Sequence, residues 1–401
     1  MVAVLFTVLL FSSQAPAYII DFLPTYAIAK GWPVFTLPFS VLCLIRRRVP
    51  GTALLLLLLL YSVGVTPIIG MMIFPVGYVG QIQSAAKMLA FLNVFSTFEI
   101  LLMLRPRAAE VHRALLALAG FTIFMMWLLW ETVPLAVYQS HTSNSLLFFW
   151  DLERGARIYA PMVFVFYIMF VITRSQWQGM PRWRVLGLLV GFVTMAIIYK
   201  QKLATAAVLA SMGASGVFST KRHRLLLIGL GLAGAATLLF VLAGRDLSNV
   251  GTALGGSLET RVMSAFYAIQ FMKESAWRLL LGVSSLPQHG DINLAQIFRF
   301  HMFFVSDLGW LGIVFEYGMI GTLLVIGVYA QSTLQIWRST RDGDPWRLAL
   351  FDYAVYLWCV QTVYSAVVAP GELMTYLAVA LYLGLPFMPA DRRAALLQEA
   401  V

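Results

Sequence analysis

The strongest constraint on this chain is the recurrence of apolar runs near twenty residues long, separated by short stretches that carry arginine. Residues 53–60, an alanine followed by seven leucines, lie inside one such run. About 20 predominantly apolar residues in a helix cross the hydrocarbon core of a bilayer. A membrane β-barrel would instead alternate in segments of about ten residues. With 60% hydrophobic and 11% charged residues and a mean hydropathy of +0.83, the chain lies far from the roughly 45–50% apolar and about 25% charged usage of soluble domains. The expected fold is all-α: a polytopic helical bundle in a membrane.

Reading apolar runs against charge clusters gives twelve spans, near residues 2–20, 27–45, 52–72, 85–104, 114–137, 158–173, 184–199, 203–219, 225–243, 309–332, 349–368 and 371–389. The clusters at Arg46–Arg48, Arg105–Arg113, Arg174–Arg184, Lys221–Arg224, Arg338–Arg347 and Arg392/Arg393 then fall on one side. Cytoplasmic loops carry such an excess, so both termini are expected inside. Ser12, Ser13, Gln14 and Pro16 interrupt the first run, which leaves ten or eleven spans open. Residues 2–11 followed by Ala-Pro-Ala mimic a signal peptide but lack a basic leading region, so a retained span is expected. The excess of 28 Lys and Arg over 18 Asp and Glu is explained by these loops, and no nucleic-acid partner is expected. Cys43 and Cys359 each sit in an apolar run, which supports neither a disulfide framework nor a thiolate metal site.

Three regions follow: residues 1–243 with about nine spans, a long polar loop at 244–308, and 309–401 with three spans and a tail. By parity the loop faces outward. Residues 258–281 lack Gly and Pro and space Val262, Phe266, Ile269 and Met272 helically, with Glu259, Arg261, Lys273 and Glu274 opposite. This predicts an amphipathic helix, lying either at the membrane interface or packed on the bundle. Gly282 ends it, and Pro287, His289, Gly290 and Asp291 form a turn-rich segment.

The outer side should be poor in positive charge, yet it holds Lys200, Lys202, Arg245, Arg261, Lys273, Arg278 and Arg299. Converging cations suit a polyanion at membrane depth, because arginine offers a planar donor fork and lysine a point charge. A lipid-linked diphosphate fits, as does an anionic lipid headgroup held without catalysis. Lys200 and Lys202 can equally snorkel to headgroups. Acid–base candidates are His289, Asp291, His301 and Asp307, with Glu259, Asp151 and Glu153 farther along the chain. Asp307 is either a base at the mouth of a span or the N-cap of its helix. On a continuous helix His301 would lie about 240° away from it. No signature of nucleotide hydrolysis, zinc proteolysis or a serine triad occurs.

Asp307-Leu308, nine residues, then Gly318-Met319-Ile320-Gly321 resembles the H-[NSQ]-x9-G-x-x-[GTY] signature of the O-antigen ligase and polymerase superfamily, with Asp in place of His. Lys202 stands where that family carries the Arg of an S-R dipeptide. Arg261, in Leu-Glu-Thr-Arg, stands at the family's loop-helix arginine, and residues 280–283 resemble its L-L-G-V-G turn. The resemblance covers roughly residues 190–330.

It implies a metal- and cofactor-independent, inverting glycosyltransferase of the bacterial inner membrane. Such an enzyme works on the periplasmic face with an undecaprenyl-diphosphate-linked oligosaccharide, among membrane lipids, alongside a flippase and a chain-length regulator. Asp307 would inherit the base role, with His301 as the other candidate. Arg261 and Lys202 would inherit the diphosphate, supported by Lys200, Arg245 and Arg299. The run from Ser306 to Gly321 looks more like exopolysaccharide polymerases. A polysaccharide or lipid transporter and an O-antigen ligase acting on lipid A-core are the alternatives.

Overall fold

The computed structural model describes residues 1–19, 23–139, 147–151, 155–177, 185–219, 256–286, 294–300, 303–340, 343–362, 364, 370–387 and 397. These residues are overwhelmingly helical. Five helices are long and apolar enough to cross a membrane: α2 (Leu23–Arg46), α3 (Thr52–Ile73), α4 (Tyr78–Leu104), α5 (Ala108–Thr132) and α11 (Trp310–Ser339). Shorter helices accompany them: α1 (Val2–Ser12), α6 (Val163–Trp177), α7 (Val185–Tyr199), α8 (Lys202–Ser219), α12 (Pro345–Val360) and α13 (Gly371–Gly384). The expected span at 225–243 lies outside the described residues. Without water to satisfy the backbone, a run such as 53–60 must close its hydrogen bonds within the helix. Its leucines then face either helices or lipid, and Leu60, Leu186 and Leu323 remain 67%, 63% and 63% exposed around the bundle.

Helix α1 is shorter than the apolar run that encodes it. It ends at Ser12, and Gln14 turns left-handed (φ 60°) before a 3-10 turn at Ala15–Tyr18. The interrupting polar residues are buried and used. Ser12 shares a hydrogen bond with Thr97 and accepts one from Thr375 (2.9 Å), while Asn93 donates to its carbonyl (2.6 Å). Buried ion pairs tie other helices together: Arg47–Glu99 at 3.2 Å, Lys87–Glu316 at 2.8 Å and Arg174–Asp352 at 2.6 Å.

Two features depart from the sequence expectation. A small antiparallel hairpin, β1 (Phe148–Asp151) with β2 (Gly155–Ile158), precedes α6. The expected helix over 258–281 is two helices, α9 (Gly256–Lys273) and α10 (Ala276–Leu281). Ser275 breaks it with extended backbone (φ −152°, ψ 131°). Helix α9 is held by an aromatic core of its own, in which Phe271, Phe298, Phe303 and Phe315 meet at centroid distances of 4.5–6.2 Å.

Candidate active site

Three distortions of the long helices converge on the kink of α11. Gly318 (φ 65°, ψ −176°) interrupts that helix and strands the carbonyls of the preceding turn. The turn after α10 supplies their donors: Val283 N–H bonds to Phe315 O and Ser284 N–H to Glu316 O, both at 2.9 Å. Gly282 (φ 81°) and Gly318 meet backbone to backbone, and a Cβ on Gly282 would lie 2.6 Å from the Tyr317 carbonyl carbon. A π-helical turn at Leu60–Val65 aims the Tyr61 hydroxyl at this junction, 2.8 Å from Leu281 O and 3.1 Å from Tyr317 O. A 3-10 stretch at Ala86–Leu92 brings Lys87 onto both oxygens of Glu316. Gly321 gives close passage to Tyr61, whose ring would be 2.8 Å from an added Cβ. The motif glycines Gly318 and Gly321 thus act through packing: Gly318 docks the turn after α10 on α11, and Gly321 lets Tyr61 of α3 pass close.

That docking presents Asp307. It lies in a 3-10 turn, Val305–Leu308, and is not the N-cap of α11; Gly309 is. Gly309 is required there because its φ is +54° and a Cβ would lie 2.6 Å from the carbonyl oxygens of Gln361 and Thr362. Asp307 is therefore not the N-cap: Leu308 and the left-handed Gly309 separate it from the helix.

Arg261 reaches Asp307 from α9, with Nη2 3.8 Å from Oδ2 and side chains 31% and 37% exposed. This is an ion pair without a hydrogen bond, and the buried Arg261 Nε has no partner among the described residues. A second guanidinium comes from the hairpin. Arg157 stacks 4.6 Å above the Phe149 ring, its cross-strand partner, and its charge also acts on Asp307. Burial pushes the Asp307 carboxyl above its ordinary pKa, while Arg261, Arg157 and a hydrogen bond with Ser306 oppose that rise without cancelling it. Two cations and a partly desolvated carboxylate can bind a polyanion and accept a proton from a neighbouring hydroxyl.

The other expected site residues fall on other elements or outside the described residues. Lys200, left-handed after a π-helical turn at Met195–Tyr199, donates to Ala156 O at 2.8 Å and lies 5.1 Å over the Trp130 ring, so it fastens the hairpin to α7. Lys202 is the first residue of α8. Arg299 is exposed in left-handed backbone (φ 50°). Arg245 and His301 lie outside the described residues, as do His289, Asp291 and Glu153. Among the described residues no group of three or more His, Cys, Asp or Glu could hold a metal ion.

Two groups escaped the sequence reading. Arg157, on β2, was hidden by its unremarkable neighbours. Glu372, in the first turn of α13, accepts a 2.6 Å hydrogen bond from the Tyr353 hydroxyl. Its signal was available, since a carboxylate at the start of an apolar span is rare and tends to be functional. Tyr159 lies between the two acids: it hydrogen-bonds with Tyr364 and Gln201, and both Asp307 and Glu372 act on it electrostatically. No family model and no curated protein matches this chain.

Proposed function

We propose that this protein is a polysaccharide polymerase of the bacterial cell envelope, moving glycan from undecaprenyl diphosphate to a sugar hydroxyl on an acceptor repeat unit. The observation that carries this reading is the open pair of Arg261 and Asp307 with Arg157 beside it. Asp307 takes the proton of the acceptor hydroxyl as its oxygen attacks C1 of the donor sugar. The bond from C1 to the diphosphate oxygen breaks, and Arg261 and Arg157 stabilise the charge that develops on the leaving group. A single displacement inverts C1. Lys202, the first residue of α8, is kept in this reading as a further diphosphate ligand.

The reading includes a twelve-span topology in the inner membrane, with both termini cytoplasmic and the Asp307 side periplasmic. Support comes from contacts that gather the arginine-bearing ends. Arg47 donates to Leu397 O at 3.0 Å, and the Tyr382 hydroxyl donates to Pro106 O at 2.8 Å. A cysteine introduced by Gln288→Cys should react with an impermeant thiol reagent in spheroplasts; protection until lysis would reverse the orientation.

The test of function uses purified protein in lipid nanodiscs with lipid-linked repeat units from the native host. Longer glycans formed without ATP or added metal are expected. Unchanged chain length with movement between leaflets would make the protein a transporter, and transfer only to a non-polyprenyl acceptor would make it a ligase.

A further inference from the structure

Four carboxylates lie deep among the described helices, and they have different partners. Glu99, Glu316 and Asp352 each meet a cation, namely Arg47, Lys87 and Arg174. Glu372 meets a phenol instead, the Tyr353 hydroxyl at 2.6 Å, and among the described residues no cation lies within ion-pair reach of it. A carboxylate inside a bundle costs free energy unless something offsets it. The three paired acids are explained by their cations, whereas Glu372 is not.

Its surroundings are hydroxyls and rings. Tyr329, Tyr353 and Tyr376 are each 1% exposed and form the rigid backing, with Tyr353 and Tyr376 at a centroid distance of 4.5 Å and Tyr353 and Tyr356 at 5.3 Å. Glu372, Tyr159, Gln201 and Tyr364 each keep part of their surface accessible, and Gln201 and Tyr364 hydrogen-bond with Tyr159. The groups facing Glu372 come from every side: Tyr353 and Tyr356 from α12, Tyr376 from its own helix, Tyr329 from α11 and Tyr159 from the segment after β2. None is a cation.

An ionised carboxylate has about four acceptor positions, and one is taken by Tyr353. The remainder, near the Tyr159 phenol that Gln201 and Tyr364 hydrogen-bond, suit a ligand that presents several neutral O–H donors. A diphosphate would be repelled, and a bound divalent metal would need more hard oxygen ligands than one carboxylate provides. The neighbouring Asp307 side of Tyr159 has the opposite character, with two guanidinium groups.

We infer that the partly exposed carboxylate of Glu372, beside Tyr353 and Tyr159, is the subsite that holds the acceptor glycan by its hydroxyl groups. This rests on the polymerase reading and assigns the acceptor a place within it: anionic donor at the arginines, neutral acceptor at Glu372, with the nucleophilic hydroxyl delivered to Asp307 between them. Specificity follows, because a site that hydrogen-bonds a particular hydroxyl rejects sugars that lack it.

The test is saturation-transfer NMR on nanodisc-embedded protein, titrated with a delipidated oligosaccharide repeat from the native host's envelope polymer, and separately with undecaprenyl diphosphate. Wild-type protein should bind both. Glu372→Gln should weaken glycan binding by about tenfold or more, the loss expected when a charged acceptor is removed from a desolvated hydrogen bond, and keep the diphosphate. Arg261→Ala should do the reverse. Tyr353→Phe, which keeps the ring and removes the hydroxyl, should weaken the glycan alone and serves as the readout if Glu372→Gln fails to accumulate. Equal glycan affinity in wild type and the variant that accumulates, or no saturable glycan binding by wild type, overturns the subsite. Glu372-dependent glycan binding in a protein that elongates nothing would sink the polymerase reading and leave the subsite standing. Elongation with undiminished glycan affinity in the variants would do the opposite.

Discussion

Two arginine–aspartate pairs in this protein have the same chemistry and opposite construction. Arg174 grips Asp352 with two parallel hydrogen bonds, 2.7 and 2.6 Å, and spends a third donor on Ser215 O at 3.2 Å. Ser211 then donates to the Asp352 carbonyl at 2.6 Å, so α6, α8 and α12 are joined at one point that is 2–3% exposed. Arg261 and Asp307 stand 3.8 Å apart, each about one-third exposed, and the Arg261 Nε has no partner among the described residues. A closed pair has no capacity left for a ligand and serves only the fold. An open pair retains donors and acceptors, and its carboxylate is desolvated enough to have its proton affinity raised.

The largest effect expected from this contrast is on the open side. General-base assistance typically contributes about 10² to 10⁴ in rate, so Asp307→Asn should lower polymerisation in that range while thermal stability stays put. Asp307→His, which restores the residue of the resembled signature, should retain measurable turnover. Wild-type turnover in Asp307→Asn would remove Asp307 from the chemistry.

On the closed side the effect moves from rate to fold. Asp352→Ala leaves Arg174 buried without its counter-ion, and breaking such a pair costs about 3–5 kcal/mol. The variant should accumulate poorly and melt early, with any folded fraction retaining its turnover per molecule. A stable Asp352→Ala protein with lost turnover would mean that the two pairs had been assigned the wrong way round.

A smaller change is expected when the open pair loses its cation. Arg261→Ala should cut turnover by more than roughly tenfold, as for loss of a donor aimed at developing charge, and weaken undecaprenyl diphosphate binding. Arg261→Lys should restore part of it, because a point charge replaces a fork. Normal turnover in Arg261→Ala would shift the anion site toward Arg157 and Lys202.

The bundle was legible in the sequence because lipid leaves the backbone a single local solution over each apolar run, so the helices α2 to α5 and α11 could be read directly from the chain. Loop helix α9 was legible too, from the spacing of Val262, Phe266 and Ile269, although not its break at Ser275, where neither Gly nor Pro marks the change. Asp307 and Arg261 could each be singled out, but not their distance, which depends on the docking of Gly282 against Gly318. Arg157 and Glu372 were missed for a related reason: neither stands in a motif, and each gains meaning only from partners more than a hundred residues away or on another helix. Lys200 shows the converse. It sits where a phosphate ligand was expected, and the structure shows it holding one backbone carbonyl and one indole face.

The finest distinction between the two pairs is in how turnover depends on pH. Asp307 must be ionised to take a proton, so turnover rises as its carboxyl deprotonates. Burial raises that pKa, and the acid limb of the profile should therefore lie above the ordinary carboxylate range, near 3.9 for a free aspartate. Arg157 opposes the rise, since a neighbouring positive charge favours the ionised form. Arg157→Gln removes that opposition while leaving Asp307 and Arg261 in place, so the limb should move to higher pH, with the alkaline plateau lowered less than in Arg261→Ala. High salt should move the wild-type limb in the same direction, because the charges around Asp307 are partly exposed and screened. A limb that stays fixed in Arg157→Gln, or moves to lower pH, would mean that the hairpin's arginine does not bear on the base, and the cluster would reduce to the single pair of Arg261 and Asp307.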